Sequence, residues 1–353
     1  MLEENIHNNT YSFPATRLRR CRTTDFIRNL TAESSLTKHD LVYPVFIVEG
    51  KNRKEPIPSM PDQYRVSLDN LLILASVCVE LGVLAIALFP VIESQKDLLA
   101  TESYNENGLI PRAVRLLKQN FPELGVFTDI ALDPYTIHGQ DGIIDDNGYV
   151  LNDITTDVLI KQALSHAQSG ADFVCPSDMM DGRIGMIRRS LEQHNFFNCG
   201  IISYAAKYAS TLYAPFRDAV GSMLNLQNAS IQDHSKQNTN NKCSKFTKTA
   251  YQMNPANSDE ALHEAMLDIN EGADIIMVKP AISYLDIVYR LKQSFKKPVS
   301  VYHVSGEYAM LKFAANNSVI DYETTLLELM LCCKRAGANM IWTYAAIDIA
   351  KLL

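Results

Sequence analysis

Two lysines stand where lysine is costly to keep. Lys279 ends the apolar run ADIIMVKP, residues 273–280, and a proline follows it; Lys207 follows the apolar run GIISYAA, residues 200–206. Both runs read as buried strands. An ammonium at the end of such a strand loses its hydration unless a partner compensates. One such lysine alone reads equally well as half of a buried ion pair. Two on successive strands read differently, because burial and a neighbouring like charge both disfavour the ammonium and lower its pKa. A neutral amine at pH 7 attacks a ketone or aldehyde to form a Schiff base. Lys279 is therefore the candidate nucleophile.

Other strand ends carry polar groups too: Asp129 and Asp133, Ser177 and Asp178, Ser305, and Tyr344. The elements that must position them recur along the chain. Strands are expected at VYPVFIV (42–48), VLAIALFP (83–90), GVFTDIAL (125–132), ADFVCPS (171–177), GIISYAA (200–206), ADIIMVKP (273–280), PVSVYHV (298–304) and ANMIWTY (338–344). Helix-period stretches such as SLDNLLILASVCVEL, ITTDVLIKQALSHAQ and SDEALHEAMLDINEG lie between them. In SGADF, EGADI and AGANM a glycine stops a helix just before the next strand, the usual chemistry of that turn. Eight alternations of strand and helix predict an α/β protein built as a (β/α)8 barrel. The competing architecture is an open doubly wound sheet, which the lack of a GxGxxG after the first strand disfavours. Barrel enzymes carry their chemistry at the carboxyl ends of the strands, where these polar groups fall. Residues 1–35 fall outside the alternation and read as an N-terminal arm, with residues 36–353 as the catalytic barrel. A polar, asparagine-rich insertion at about 224–248 reads as a rim loop, either a lid or disordered chain.

Composition narrows the partners. The chain has 353 residues, is 47% hydrophobic and carries a net charge of −7, which argues against a general nucleic-acid or membrane-surface binder. No apolar run is long enough to span a bilayer, and the polar start MLEENIHNNT does not resemble a signal peptide. The seven cysteines form no CxxC pair and read as thiols in a reducing cytoplasm. Five arginines between Arg17 and Arg28 read as part of the arm, pairing with a neighbouring subunit or with acidic loops. No aromatic interleaving supports nucleic-acid binding there.

The segments VCPSDMMDGRI, ISYAAKYASTLYAPFRDA, YQMNPANSDEALHEA, IIMVKPAISYLDIV and VYHVSGEYAML closely resemble the 5-aminolevulinate dehydratase (porphobilinogen synthase) family. The likeness extends over nearly the whole chain, from FPATRLRR to the final strand. It implies condensation of two 5-aminolevulinate molecules into porphobilinogen, an early step of tetrapyrrole (heme) biosynthesis. By resemblance, Lys279 forms a Schiff base with the substrate supplying the acetyl-side half, and Lys207 either does so with the propionate-side substrate or assists its turnover. The resemblance assigns Arg217 and Lys248 to one substrate carboxylate, with Lys245 competing for the role of Lys248, and Ser305 and Tyr344 to the other. Gln252, Tyr213 and Ser177 are implied as further substrate contacts.

One branch of the family holds a catalytic zinc on three cysteines, at positions that correspond here to Ala131, Asp133 and Asp141. Without thiolates the soft ligands that favour zinc are gone, and the chain resembles the aspartate-rich branch, which lacks that zinc. Asp129, Asp133, Asp141 and Asp178 are then expected around the substrate amines, ordering water and moving protons, with or without a hard cation. Glu260 opens the helix SDEALHEAM. It reads either as an acid complementing the helix dipole or, by resemblance, as the anchor of an allosteric Mg²⁺, an ion that accepts a single carboxylate and keeps its water. Its position before the sixth barrel strand is expected to place it at the barrel end away from Lys279. The resemblance further implies a homo-octamer whose arms embrace neighbours. A Schiff-base aldolase is the rival enzyme class, against which stand the second lysine and the lack of a glycine-rich phosphate site. A catalytically dead relative is the other rival, against which stands the retained residue set.

Overall fold

A computed structural model describes residues 12–221 and 247–353. Eight parallel strands close on themselves: β1 (Leu41–Val48), β4 (Ala85–Val91), β5 (Gly125–Ile130), β6 (Phe173–Pro176), β7 (Gly200–Lys207), β8 (Ile275–Lys279), β9 (Val299–His303) and β10 (Met340–Thr343). The pairing of β10 with β1, Leu41 opposite Ile341, completes the ring. This is the expected (β/α)8 barrel, and each of the eight expected strands is present. A short hairpin that the sequence pattern did not reveal, β2 (Lys54–Pro56) with β3 (Tyr64–Val66), attaches to the end of β1.

The helices fall where the periodicity puts them, at Leu68–Leu81, Asn152–Gln168 and Asp259–Glu271 among others. Gly170, Gly272 and Gly337 all have φ between 101° and 113°, the left-handed conformation that lets a chain leave a helix and enter a strand. The polar residue two positions after each glycine has its own task. Asp172, Asp274 and Asn339 accept the first free N–H groups of the preceding barrel strand, from Val126, Ile201 and Val299, at 2.8, 2.8 and 3.1 Å. Each also takes a cation from the outer layer, Lys118, Arg188 or Lys292. The same device is thus used three times to close the floor of the barrel.

Large side chains fill the interior. Trp342 packs against Phe127, Tyr204 and Tyr302 with ring centroids 5.5–6.2 Å apart. Above it Phe46 stacks on Tyr344 at 5.7 Å, and Phe216 meets both Phe46 and Phe89. Aromatic pairs at such spacings add to what area burial alone supplies. The described residues 12–35 belong to a compact unit of their own. Its short helix Asp25–Leu30 buries no side chain, and Phe13, Leu18, Phe26 and Leu30 are each more than 60% exposed. Among the described residues no helix is long and apolar enough to cross a membrane, and every described cysteine is a free thiol.

Candidate active site

The two lysines are brought side by side by an irregularity. Strands β7 and β8 pair Ser203 with Ile276 but Ala206 with Val278, so β7 carries one residue more than its neighbour between these pairs. This bulge sets Lys207 opposite Lys279; in unbroken register it would face Pro280 with its side chain on the other face of the sheet. The turn chemistry after the strands then locks the pair. Tyr208 N–H donates to the Lys279 carbonyl at 2.9 Å, Met253 N–H to the Lys207 carbonyl at 3.0 Å, and Tyr213 Oη to the Lys279 carbonyl at 3.1 Å.

The surroundings of the two amines differ. Lys279 Nζ lies in a cage of rings, 4.5 Å from the centroid of Tyr302 and 5.2–5.3 Å from those of Tyr204, Tyr213 and Phe216. Among the described residues it makes no hydrogen bond or ion pair. Burial first, and the charge of Lys207 second, pull its pKa down to about 7, against the attraction of Asp129, Asp133 and Asp141. Lys207 Nζ instead donates to Asp141 Oδ2 at 3.3 Å and to the Ser177 carbonyl.

The aspartates sort by their neighbours. Asp141, 1% exposed, accepts from Lys207, from Lys248 and from Gln252 Nε2 at 3.4 Å. Burial alone would raise its pKa, but the two ammonium groups prevail and hold it at about 2. Lys248, which opens a 3-10 turn and also meets Asp133 at 3.2 Å, is pulled down by burial and held above its usual range by those two carboxylates. Asp129 has a buried oxygen with no partner, and burial pushes its pKa to about 7 although Lys279 and Lys207 oppose this. Asp178 is pushed by burial to about 6, with Arg183 at 3.8 Å opposing. One cleft therefore holds a neutral-leaning amine, two carboxyls that titrate near neutrality and a firmly ionised one.

Two expected contacts are engaged within the chain itself. Ser305 Oγ donates to the Leu212 carbonyl at 3.2 Å and accepts from Phe216 N–H at 3.0 Å, fixing the start of the helix Ala214–Ala219 that carries Arg217. A side chain at Gly306 would lie 2.5 Å from that carbonyl, so glycine permits the close approach. Tyr344 Oη shares a 2.9 Å hydrogen bond with Tyr302 Oη, which ties it to the cage of Lys279. Arg217 is half-buried, and its charge is felt by Tyr213. Lys245 and residues 224–246 of the polar insertion lie outside the described residues.

The expectation for Glu260 is corrected. The helix Asp259–Glu271 runs antiparallel to the strands, so its start lies at the mouth of the barrel with Lys207 and Lys279. Glu260 Oε2 accepts from Asn257 Nδ2 at 2.7 Å, and the Asn257 carbonyl accepts from Tyr208 Oη, one residue beyond Lys207, at 2.9 Å. A cavity of about 370 Å³ has Glu260, Glu264 and Asp181 on its wall together with Gln252 and Met253. Among the described residues no three His, Cys, Asp or Glu side chains converge closely enough to hold a metal ion by themselves.

A family model for delta-aminolevulinic acid dehydratase matches residues 15–352. The chain belongs to the delta-aminolevulinic acid dehydratase family. A relative of that name from Bradyrhizobium diazoefficiens is 45% identical over 96% of this chain and 91% of its own length. One from Methanothermus sociabilis is 46% identical over 96% and 99%, and the chloroplastic protein of Glycine max is 44% identical over 96% and 77%. The crystal structure of the Toxoplasma gondii delta-aminolevulinic acid dehydratase (porphobilinogen synthase), in complex with the reaction product porphobilinogen, superposes with a TM-score of 0.88 at 41% identity, covering 98% of this chain and 95% of that one.

Sequence reasoning missed the rings around Lys279. Tyr204 and Tyr302 stand on inward positions of β7 and β9, and the parity of Tyr204 is hidden by the bulge. Arg183 escaped too, although it lies in the quoted DGRI. It is 2% exposed and bridges Asp178 to Asp268, which it meets at 3.1 Å.

Proposed function

We propose that this chain is a porphobilinogen synthase that condenses two molecules of 5-aminolevulinate, with Lys279 as a Schiff-base lysine and Lys207 beside it forming the second Schiff base or assisting turnover of the second substrate. The observation that carries the reading is the pair itself, two lysines in register on adjacent strands with one amine among rings and, among the described residues, without an ion pair. Each substrate offers a ketone. An uncharged Lys279 amine adds to one, and loss of water gives the imine. Asp129, titrating near the same pH as Lys279, is suited to take and return the proton at that step. Lys207, backed by Asp141, serves the second substrate. The other ends of the substrates need cations and hydroxyls: Arg217, Lys248 and Gln252 for one carboxylate, Ser305, Tyr344, Tyr213 and Ser177 for the other substrate. Lys248 then exchanges part of its contact with Asp133 and Asp141 for a substrate carboxylate.

The finer assignment is to the aspartate-rich branch without a catalytic zinc. Supporting it, Ala131, Asp133 and Asp141 supply no thiolate, and Lys207 and Lys248 already occupy the oxygens of Asp141. We place an allosteric magnesium at Glu260, where an accessible carboxylate beside Asn257, Asp181 and Glu264 offers the oxygen surroundings that a hydrated Mg²⁺ accepts. The exposed apolar residues of the arm support its use against neighbouring subunits, in an octamer working in the cytoplasm, with residues 1–35 as arm and 36–353 as catalytic unit. The test is direct. Purified protein given 5-aminolevulinate should yield a pyrrole detected colorimetrically, and a zinc-selective chelator should leave the rate unchanged. No pyrrole under any metal condition would refute the activity, and loss of stoichiometric zinc together with activity would refute the branch.

A further inference from the structure

We propose that Glu307 is a positioning residue for Lys279: its carboxylate ties the turn that follows Lys279 to the start of the helix that carries Ser305. The inference rests on reading Lys279 as the nucleophile. Glu307 is the third residue of the helix Ser305–Asn316 and only 6% exposed. A glutamate there commonly reaches back to the N–H that precedes its own helix, and Oε2 does so, accepting from Val304 at 2.8 Å. Capping explains no more than that bond. The same oxygen also accepts from Ala281 N–H at 3.3 Å, and Oε1 accepts from Ile282 N–H at 2.6 Å. These two donors belong to the chain just after Lys279 and Pro280, at the end of a different strand.

The arrangement is expensive for a capping device. Among the described residues Glu307 has no cationic partner, so a buried carboxylate is held by backbone dipoles alone, and burial pushes its pKa up to about 7 in spite of them. What the three bonds accomplish is geometric. They fix the distance between the end of β8 and the end of β9, hence the height of the Lys279 amine against the Tyr302 ring and the place of Ser305 on the Phe216 N–H. A carboxylate with four acceptor sites fits three converging donors, and no neutral side chain of that size does.

Two variants of the full chain separate positioning from capping. Glu307→Asp keeps a carboxylate beside Val304 but withdraws it by one methylene from Ile282. Glu307→Gln keeps the shape and turns an amide donor toward backbone donors. Melting temperature, borohydride trapping of 5-aminolevulinate on Lys279 and on Lys207 (located by peptide mass), and amide exchange at Ala281 and Ile282 are measured together. Trapping on Lys279 per folded molecule is expected to slow by about tenfold or more, the scale on which small misplacements of a reacting group act, with trapping on Lys207 changed less and exchange at Ala281 and Ile282 faster. A lowered melting temperature with unchanged trapping and unchanged kcat would overturn the proposal and leave Glu307 as a helix cap. If neither variant folds, the wild-type amides decide: exchange at Ala281 and Ile282 as rapid as in an exposed loop overturns the tie, and strong protection supports it. A wild type that traps nothing on Lys279 would overturn the nucleophile assignment instead, and exchange alone would then judge the tie.

Discussion

Lys279 and Lys207 are the same residue at the same height on adjacent strands, yet one faces rings and the other faces Asp141. Rings attract a cation weakly, by roughly 0.5–2 kcal/mol, whereas a carboxylate within hydrogen-bonding distance gives a far stronger reason to stay charged. The barrel thereby separates two tasks that one residue type can perform. Burial and then the neighbouring Lys207 lower the Lys279 pKa to about 7, the direction the proposed nucleophile needs, while Lys207 keeps a carboxylate partner in Asp141. The proposed nucleophile is thus tuned in part by its neighbour.

The largest break in this comparison is Lys279→Met, which keeps an apolar stem among the rings and removes the amine. Turnover is expected to fall by about 10⁴-fold or more, as when a nucleophile is deleted, with the melting temperature preserved or raised because a buried titrating group has gone. A variant that still makes pyrrole at a tenth of the wild-type rate would end the assignment. Lys207→Met sharpens the comparison differently. Activity should drop by roughly 100-fold, on the scale of losing one positioned proton-transfer or electrostatic group. The more telling result is a shift in pH dependence. Removing a positive neighbour raises the Lys279 pKa, so the neutral amine appears only at higher pH, and the midpoint for borohydride trapping on Lys279 should move upward from about 7. A midpoint that stays put would mean burial alone controls Lys279.

Arg217→Ala tests the remote end of the substrate. Truncating one partner of a buried charge pair costs about 2–5 kcal/mol, which is roughly 30-fold or more in apparent affinity. The loss should appear in KM, with kcat at saturation changed much less. An equal fall in kcat at saturation would show that Arg217 acts on the chemistry itself.

Why the sequence carried so much of this has a physical reason. Buried parallel strands are forced into continuous apolar runs, so a lysine, aspartate or serine at the end of one is conspicuous, and helix stops need glycine at positive φ. Both signals are local, and both led to the observed barrel. What depended on counting across strands was hidden. The bulge at Tyr204–Ala205 leaves no composition signal, and it alone decides that Lys207 meets Lys279. The aspartate of ADIIMVKP was visible but unexplained, because its partner, the N–H of Ile201, lies 73 residues away. The hairpin β2–β3 was too short to register as a period. The wrong end assigned to Glu260 was an error of topology rather than of residue reading, since a helix returning to the foot of the next strand must begin at the mouth.

That correction changes the smallest and last expected effect. With Glu260 at the barrel mouth, an ion anchored there has a short route to the lysines. Asn257 holds Glu260 through its side chain and Tyr208 through its carbonyl, Tyr208 stacks on Tyr284 with centroids 4.2 Å apart, and Tyr208 N–H donates to the Lys279 carbonyl. Glu260→Ala should therefore abolish stimulation by magnesium while leaving basal turnover within about fivefold of wild type, the lower end of common allosteric coupling of 1–3 kcal/mol. Activity against magnesium concentration, measured alongside particle mass, separates two routes. If the route is the local one through Tyr208, the response is lost at constant particle mass, and Tyr208→Phe, which removes the bond to Asn257, weakens it as well. If the particle shrinks as the response disappears, the coupling runs through subunit packing instead. A variant that answers magnesium as wild type does would return Glu260 to the plain role of an acid at a helix start, and the contrast between the two lysines would then owe nothing to a bound ion.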